Sequence, residues 1–566
     1  MNNDSKHILI IGASACGAKT ASRIKRLRPD YEVTMLDQSP DISYAACGMP
    51  YYLEGKIRES DDLMKTTYGR LRDVQYFKDL KDITIFTQVR VLSIDRKRRA
   101  LSATNIITGE LLSFGYDALV LAMGASAKMP PIPGADLKGV YHLTRMEDTR
   151  VIAREIEDRK RGVAVIVGGG FIGVEAAEAL RTRKWDVTVL ERESQLFPGM
   201  LDYEISAMIQ EHFFEQMVAT EFNAEILSFA GKDGRIGKVI TKTNEYPADL
   251  VIVATGLRPN TEIAGAAGLE LGETLALKVN SRLQTSDPNI YAGGDLVENM
   301  HRVTGKPVYT PLGSTANKHG RVIADNICGI PSEFPGVQGT FICKAFDYVV
   351  GATGITETQA GRMGKNAFAV AVCGFGKAHF YPDSQILGLK LVLENGTNKL
   401  LGMQAVGKGD VARRIDVAAT AIRLGATIRD IADLDMAYAP PFSPALDVFI
   451  TALNVAENVT AGLMKPVTAQ EVKKLLDRQY QVLVVDVRSA LEYGRAHIDH
   501  PCVINIPLDE LRQRIGELPR HKKIICACLL GLRGFSAQRI LEAAGFPDVC
   551  TLEGGQFLWP WKEEMV

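Results

Sequence analysis

The sequence has no apolar run close to the roughly 18 residues that a membrane-spanning helix needs, so we expect no membrane span. It also has no excess of charge of one sign, because 66 Lys and Arg residues face 67 Asp and Glu residues. Such a balance argues against a general partner among nucleic acids or anionic membranes. The nine cysteines form no disulfide framework and the N-terminus leads directly into a strand. We therefore expect a cytoplasmic protein with free thiols and no metal site.

A strand–turn–helix motif stands at the N-terminus of this 566-residue chain, whose length is typical of about four domains. The apolar run His7-Ile-Leu-Ile-Ile11 leads into Gly12-Ala-Ser14-Ala-Cys-Gly17, a helix to Leu27 and a second strand that ends in Asp37. Glycines at such a turn let a helix N-terminus face a pyrophosphate, and the acid after the second strand meets a ribose hydroxyl. The candidate dinucleotide-contacting residues are Gly12, Ser14, Ala15, Gly17 and Asp37.

A second motif, Val163-Ala-Val-Ile-Val-Gly168-Gly-Gly170-Phe-Ile-Gly173-Val-Glu175, contains the complete G-x-G-x-x-G pattern. Its following strand ends in Glu191, whose carboxylate would repel a 2′-phosphate. This favours NADH, although the adjacent arginine leaves NADPH open. Two such folds in one chain imply two cofactors, one held and one exchanging. The candidate residues here are Gly168, Gly170, Gly173, Glu175 and Glu191.

Two further strand ends complete the first nucleotide site. The strand from Tyr116 ends in a glycine turn at Gly124, and Ile290-Tyr-Ala-Gly-Gly294-Asp295 places an acid after another strand. Asp295 is expected to accept hydrogen bonds from a ribityl chain. The segment from Pro311 to Gly320 should then cover a flavin with a helix N-terminus.

The segment Ser43-Tyr-Ala-Ala-Cys47-Gly-Met-Pro-Tyr51-Tyr52 holds one cysteine just downstream of the first motif. The next cysteine in the sequence is Cys328, which excludes a redox disulfide between neighbouring cysteines. Cys47 would therefore work alone, as a thiolate that forms a mixed disulfide, persulfide or sulfenic acid. A buried structural cysteine is the alternative, and for Cys16 we favour that packing role.

Three cations of the first helix, Lys19, Arg23 and Arg26, share one face. By spacing alone they fit a solvated surface as well as a phosphate-binding stripe.

Together these motifs resemble the pyridine nucleotide–disulfide oxidoreductases, specifically the single-cysteine group of coenzyme A (CoA) disulfide reductases and NADH-dependent persulfide reductases. That group carries Ser-[Phe/Tyr]-Ala-Asn-Cys-Gly-[Leu/Met]-Pro-Tyr, and this chain departs from it at Ala46, where Asn is usual. The resemblance covers residues 1 to about 455. It implies FAD and NADH as cofactors, and it implies CoA as a substrate or bound thiol in a groove lined by Ser43, Lys19, Arg23 and Arg26.

The resemblance also implies a homodimer whose dimerisation domain completes the partner's active site. The run Tyr438-Ala-Pro-Pro-Phe442 matches the group, and its prolines predict a stiff extended loop. Tyr438 could protonate a departing thiolate, with a structural tyrosine as the alternative. Tyr381 matches a second tyrosine of the group less closely.

The C-terminal part resembles a single rhodanese domain, whose reactive loop reads Cys-x-x-Gly-x-Arg. Here the loop is Cys528-Leu-Leu-Gly531-Leu-Arg533 ahead of a helix, a setting that stabilises a persulfide anion. Gly534 stands where Ser is common and is expected to leave room for a bulkier sulfur donor. For Cys526 we favour packing, with a resolving thiol as the alternative.

The predicted fold is α/β, with two Rossmann-like domains for FAD and NAD, an α+β dimerisation domain and a C-terminal rhodanese α/β domain. The expected boundaries are 1–147 and 280–334 for FAD, 148–279 for NAD(P)H, 335–460 for dimerisation and 461–566 for the rhodanese domain.

Three functions fit the residues. The first is an FAD-dependent NAD(P)H reductase of persulfide, polysulfide or CoA disulfide. In it hydride reaches FAD on the side opposite Cys47, and Cys528 relays sulfane sulfur to or from a thiol such as CoA. The second is an NADH oxidase or peroxidase that uses a Cys47 sulfenic acid. The third is a sulfurtransferase whose flavoprotein body senses CoA.

Overall fold

The structure is a computed structural model that describes residues 5–478 and 481–565. It divides into two compact units. The first comprises residues 1–192 and 221–337, and the second comprises residues 193–220 and 338–566.

The first unit begins with a parallel sheet that carries the first dinucleotide motif. Its strands are buried and almost wholly apolar, as expected for a parallel sheet with both faces covered. In spatial order they are Ile290–Ala292, Ala118–Leu121, His7–Ile11, Glu32–Leu36 and Thr84–Phe86. The glycine turn therefore leaves from the central strand.

A second parallel sheet in this unit repeats the arrangement around the second motif. Its strands within the unit run in the order Asp186–Leu190, Val163–Val167, Leu250–Val253 and Val140–Tyr141. Antiparallel strands complete the unit: Val89–Asp95, Ala100–Asn105 and Leu111–Gly115; Ile226–Lys232, Arg235–Thr241 and Glu245–Pro247; Ala125–Ala127 with Leu257–Pro259; and Asn299–Met300 with Pro307–Val308.

The helices of the first unit pack on these sheets and position the site. The α-helices are Ala15–Leu27, Met49–Glu54, Val74–Lys81, Met146–Arg159, Phe171–Thr182, Glu262–Ala266 and Gly313–Ile327. Short 3-10 helices are Ala46–Gly48, Ser60–Met64 and Gly294–Leu296.

The second unit contains an antiparallel sheet in the order Phe341–Ala345, Tyr348–Gly354, Leu400–Gly407, Ile386–Glu394 and Ala367–Phe375. Its helices are Tyr203–Glu215, Glu357–Arg362, Val411–Leu424, Ile428–Ala432 and Val448–Thr460, and strand Val218–Glu221 starts within it. Helix Tyr203–Glu215 belongs to this unit because the backbone N–H of Asp202, its N-cap, donates to the Gln404 side chain at 2.6 Å. In the domain boundaries predicted from the sequence, residues 203–215 belong to the NAD(P)H domain.

The C-terminal sheet is parallel and lies in the same unit. Its strands run in the order Pro466–Val467, Val549–Leu552, Lys523–Ala527, Val482–Asp486 and Val503–Asn505. Its helices are Ala469–Asp477, Ala490–Tyr493, Leu511–Arg514 and Leu532–Ala543, with 3-10 turns Ile515–Glu517, Gly555–Leu558 and Lys562–Glu564. Across residues 5–478 and 481–565, none of the helices is both long and apolar enough to cross a bilayer.

Candidate active site

The first glycine turn brings two backbone segments so close that only glycine fits. Gly12 has φ +102°, and a Cβ there would lie 2.1 Å from the carbonyl oxygen of Ala122. A Cβ on Gly17 would lie 1.8 Å from the carbonyl oxygen of Gly12. Helix Ala15–Leu27 starts directly behind Ser14, so its N-terminal amides face the turn. This cradle suits a pyrophosphate.

Asp37 stands at the end of the second strand, as its spacing predicts. One carboxylate oxygen accepts the Ala13 N–H at 2.7 Å and the other accepts the Ser39 N–H at 2.9 Å. Burial raises the pKa of Asp37. Each oxygen keeps acceptor capacity that ribose hydroxyls can use.

Asp295 lies in the turn Gly294–Leu296, where burial raises its pKa to about 6. The Tyr309 hydroxyl donates to the Asp295 carbonyl at 2.8 Å, and the Gly294 N–H donates to Nδ1 of His319. Gly124 adopts φ +63° with open space around it. A largely buried carboxyl at one strand end suits a ribityl chain and the open space at Gly124 suits a bound cofactor, so the residues present fit FAD.

The second turn repeats the geometry of the first. A Cβ on Gly168 would lie 2.5 Å from the Ala254 carbonyl oxygen, and one on Gly173 would lie 1.9 Å from the Gly168 carbonyl oxygen. Gly170 caps helix Phe171–Thr182 and has open space. Glu191 accepts the Gly169 N–H at 2.7 Å, as Asp37 accepts the Ala13 N–H. This second cradle fits a nicotinamide dinucleotide.

Cys47 lies in the 3-10 turn Ala46–Gly48 and is exposed. A Cβ on Gly313, the first residue of helix Gly313–Ile327, would lie 3.8 Å from its sulfur. Partial burial, followed by the carboxylates of Glu175 and Asp295, raises the pKa of Cys47. Cys47 thus lies beside the start of helix Gly313–Ile327, within electrostatic reach of Glu175 and Asp295. Among the described residues every cysteine is a free thiol.

Glu175 is more than a residue of the second motif, because its charge acts on Cys47. Burial, reinforced by Glu178, raises the pKa of Glu175 to about 7. A carboxyl that titrates near neutrality beside a reactive thiol is typical of a functional site.

Ser43 anchors the cysteine loop to the first motif. Its N–H donates to the Ala13 carbonyl at 2.9 Å, and it is a buried residue at φ +51°. Two residues later the Ala45 N–H donates to the Leu63 carbonyl at 2.9 Å. The loop that carries Cys47 is therefore held at both sides. Cys16 is 5% exposed, and burial raises its pKa, which fits packing.

The cationic stripe differs from its sequence interpretation in one member. Arg23 donates from Nε to Asp325 at 2.8 Å, so its charge is balanced. Lys81, which the sequence did not single out, donates to the Ser22 hydroxyl at 2.9 Å. Burial and then the charges of Arg26, Arg72 and Lys19 lower the pKa of Lys81. We call Lys19, Arg26, Arg72 and Lys81 the cation cluster.

Three cations that act on a fourth, Lys81, form a positively charged surface of the kind that binds phosphate groups. The sequence signal for Lys81 was weak, because a single lysine at the end of helix Val74–Lys81 resembles any helix C-terminus.

Tyr438 and Tyr381 lie in the second unit on two loops that touch. The Ala378 N–H donates to the Pro440 carbonyl at 3.3 Å. Tyr438 is 54% exposed, and Phe380 and Phe442 beside these tyrosines are also exposed. A surface with this many exposed aromatic rings is typical of an interface between chains.

Cys528 follows strand Lys523–Ala527 and is held in a nest of backbone amides. Its sulfur accepts N–H groups from Gly531 at 3.2 Å and Gly534 at 3.4 Å. Arg533 donates to both carboxylate oxygens of Glu492, at 2.7 and 2.6 Å. Two N–H donors suit a thiolate or a persulfide anion.

The expectation that Gly534 leaves room for a bulkier donor is wrong. A Cβ at Gly534 would lie 2.9 Å from the Cys526 carbonyl oxygen and 3.3 Å from Cγ2 of Thr551. The position therefore faces the sheet, and glycine is needed for helix Leu532–Ala543 to pack against it. Cys526 is fully buried, which fits packing.

Three family models match most of the chain. A pyridine nucleotide-disulphide oxidoreductase model matches residues 6–311, the dimerisation domain of that family matches residues 340–448, and a rhodanese-like domain matches residues 468–560. The chain belongs to the pyridine nucleotide-disulphide oxidoreductase family. The predicted fold class is confirmed, and with it FAD and NAD(P)H as the cofactors of the family.

Individual relatives point to sulfur chemistry. The NAD(P)H sulfur oxidoreductase (CoA-dependent) of Pyrococcus furiosus is 38% identical over 452 residues, 80% of this chain and 99% of the relative. The coenzyme A disulfide reductase of Staphylococcus haemolyticus is 31% identical over 78% of this chain and 97% of its own. The solved NAD-dependent persulfide reductase of A. fulgidus is 42% identical, with a TM-score of 0.93 over 98% of this chain and 100% of that one. The resemblance to the CoA disulfide and persulfide reductases is confirmed.

Proposed function

We propose that this protein is an FAD-dependent NAD(P)H reductase of CoA persulfide, polysulfide or CoA disulfide, with a rhodanese domain that relays sulfane sulfur. The observation that carries the proposal is the position of Cys47. This thiol has no cysteine partner among the described residues, and the charges of Glu175, in the second motif, and of Asp295 act on it. The relatives named above act on the same class of sulfur–sulfur bond.

When bound, FAD would supply the transfer of an electron pair from nicotinamide to sulfur. Gly12, Ser14, Ala15 and Gly17 would hold its pyrophosphate, Asp37 its ribose and Asp295 its ribityl chain, with Gly124 giving room. Gly168, Gly170, Gly173 and Glu191 would hold NADH.

Cys47 would act as the nucleophile. Its thiolate attacks the inner sulfur of CoA–S–SH, forms the mixed disulfide Cys47–S–S–CoA and releases HS⁻. Two electrons from NADH then restore the Cys47 thiolate and release CoA as a thiolate. The balance is CoA–S–SH + NADH + H⁺ → CoA–SH + H₂S + NAD⁺.

The departing thiolate needs a proton donor, and Tyr438 of a second copy of the chain would supply it, with Tyr381 beside it. The dimerisation domain supports a homodimer. CoA would lie along Ser43 and the cation cluster, where its phosphates balance the excess charge. At the usual asparagine position, Ala46 removes an amide from this groove.

Cys528 would take the sulfane sulfur of a donor and pass it to a carrier thiol, and CoA itself could be that carrier. Arg533 would help to hold the reactive loop through Glu492. Nine free cysteines fit a cytoplasmic location. The boundaries 147/148, 279/280, 334/335 and 460/461 remain our assignment of the domains.

The test is steady-state NADH oxidation with CoA persulfide, CoA disulfide and polysulfide, in the wild type and in Cys47→Ser. We expect FAD to stay bound in Cys47→Ser while turnover falls by at least about 100-fold, as for the loss of a nucleophile. Near-normal persulfide turnover in Cys47→Ser would contradict the proposal. Oxygen consumption that matches NADH oxidation without any sulfur substrate would instead favour an oxidase.

A further inference from the structure

The segment Glu553–Gln556 of the rhodanese domain holds the backbone of the reactive loop. A Cβ on Gly555 would lie 2.4 Å from the carbonyl oxygen of Cys528, so the two backbones are in direct contact. The Gln556 N–H donates to that same carbonyl at 2.9 Å, and the Phe557 N–H donates to the Leu529 carbonyl at 3.0 Å. A displacement of this segment would therefore also move the backbone of Cys528.

Glu553 ties this segment to the dimerisation domain, which belongs to the same unit. The side chain is buried, with 7% exposure, and Oε2 accepts the Ala371 N–H at 3.2 Å. Ala371 lies in strand Ala367–Phe375 at the edge of the dimerisation sheet. The carboxyl thus joins two domains through one hydrogen bond.

The charges around Glu553 are unbalanced. On the neighbouring strand Lys390 lies opposite Ala371, and its ammonium contacts Glu357 at 2.7 Å, Asp202 at 3.4 Å and also Glu204. These three carboxylates come from helix Glu357–Arg362 and from the start of helix Tyr203–Glu215. Glu553 is a fourth carboxyl facing one ammonium.

Burial raises the pKa of Glu553 to about 8, with Lys390 opposing the shift and Glu204 and Glu357 adding to it. Two other titratable groups of the described residues contact this segment. Lys562 donates to the carbonyls of Gln556 and Phe557, and burial lowers its pKa to about 8. Asp486 accepts the side-chain amide of Gln556 at 2.7 Å and pairs with Arg488. Because Glu553 and Lys562 titrate in the same range, a test must separate them.

We propose that Glu553 is a positioning residue for Cys528, and that gain or loss of its proton sets the rate of sulfur transfer at the rhodanese loop. The protonated carboxyl keeps its place against Ala371 without added charge. The ionised carboxylate adds a fourth negative charge where three carboxylates already surround the one Lys390 ammonium, so net repulsion displaces the segment that contacts the Cys528 carbonyl. The inference rests on the proposed role of Cys528.

Sulfur transfer from thiosulfate to cyanide measures this step without NADH. The Cys528 thiolate takes the sulfane sulfur and releases sulfite, and cyanide then removes it as thiocyanate, with no net electrons. The full-length protein is assayed from about pH 6.5 to pH 9 as wild type, Glu553→Gln, Glu553→Ala, Lys562→Arg and Glu510→Gln. Glu510 is a half-exposed rhodanese carboxylate paired with Arg514, and it serves as the matched control.

Glu553→Gln keeps a neutral group of the same shape, so its rate should match that of the wild type at pH 6.5. Relative to the wild type the rate should then rise by about fivefold as the pH passes 8, since a single ionisation changes a population about tenfold between pH 7 and pH 9. Glu553→Ala should be slower than wild type at low pH. Lys562→Arg, which keeps its charge throughout, and Glu510→Gln should follow the wild-type profile.

A wild-type profile in Glu553→Gln, or loss of the ionisation in Lys562→Arg instead, would overturn the inference. Failure of the proposed function gives a different result, namely sulfur transfer that persists in Cys528→Ser.

Discussion

Arg23 donates a hydrogen bond from Nε to Oδ1 of Asp325 at 2.8 Å, across 302 positions of sequence. The pair joins helix Ala15–Leu27 to helix Gly313–Ile327, the two helices whose N-termini face the candidate FAD site. The Asp325 side chain is only 8% exposed, so the carboxylate that pairs with Arg23 is shielded from solvent. Arg23 therefore holds the two helices together, and we propose Lys81 as a further cation of the CoA groove.

Replacing Lys81 should weaken the binding of CoA substrates. In Lys81→Gln we expect the KM for CoA disulfide to rise about tenfold, because one charge-assisted contact to phosphate is worth about 1.5 kcal/mol. The value of kcat should change little, since we expect Lys81 to contact a phosphate of CoA disulfide and not its disulfide bond. Steady-state NADH oxidation against CoA disulfide concentration measures both. Lys78→Gln, on the same helix and paired with Asp82, is the control. An equal KM in the two variants would exclude Lys81 from the groove.

The reactivity of Cys47 should depend on the charge of Glu175. Burial, Glu175 and Asp295 raise the pKa of Cys47, so alkylation by iodoacetamide should accelerate as the pH rises. Because the pKa of Glu175 is about 7, Glu175→Gln removes a charge only above that pH. We expect faster alkylation than in the wild type at pH 8 and equal rates at pH 6.

The reaction is followed by mass spectrometry on the Cys47 peptide, and the exposed Glu157→Gln serves as the control. Equal rates in Glu175→Gln and the wild type at pH 8 would show that the Glu175 charge does not reach the thiol.

Glu191 should set the preference between the two nicotinamide cofactors. Its carboxylate accepts the Gly169 N–H and would repel a 2′-phosphate. In Glu191→Gln we expect the ratio of kcat/KM for NADH to that for NADPH to fall about tenfold, a change of about 1.4 kcal/mol. Sulfur transfer from thiosulfate to cyanide, which needs neither cofactor, should stay unchanged and so reports intact folding. An unchanged ratio would mean that another residue selects the cofactor.

Lys390 should contribute strongly to stability, because it is 2% exposed and pairs with three carboxylates. Lys390→Met would leave Asp202 and Glu204, whose side chains are largely buried, without this partner, at a cost of about 3–5 kcal/mol in the free energy of unfolding. Lys408→Met removes a more exposed pair with Asp347 and should cost at most about 1 kcal/mol. Urea unfolding of both variants measures the difference, and equal losses would contradict the burial argument.

Lys390→Met should also change how the free energy of unfolding depends on pH. Burial acts to raise the pKa of Asp202, but Lys390 and hydrogen bonds from Thr358 and Gln404 outweigh it and hold that pKa below its ordinary value. The wild type therefore loses this stabilisation as the pH falls through the folded pKa of Asp202. The free energy of unfolding of Lys390→Met should fall less than that of the wild type over that acidic range.

Residues fixed by local spacing could be predicted from the sequence. Gly12, Gly17 and Asp37 follow from one strand–turn–helix–strand unit, and the same rule finds Gly168, Gly173 and Glu191. Each depends on backbone geometry within about 25 residues, which a regular α/β unit dictates. The fold class was predictable for the same reason.

Contacts between distant segments could not be predicted in this way. The Arg23–Asp325 pair, the place of Lys81 beside the first helix and the Glu553–Ala371 hydrogen bond join residues separated by 302, 59 and 182 positions. The expectation for Gly534 was wrong because the direction in which a Cβ would point there depends on how helix Leu532–Ala543 packs on the sheet. Only tertiary packing settles such positions.

Strand Ala367–Phe375 is nine residues long and forms the outer margin of its sheet. In this chain Glu553 occupies part of that margin, which would otherwise offer its backbone to other molecules. Cutting the chain near residue 461 would uncover that part of the edge and leave the Ala371 N–H without its acceptor. The C-terminal domain thus also completes a hydrogen bond at the sheet edge of its neighbour, apart from any sulfur that it carries.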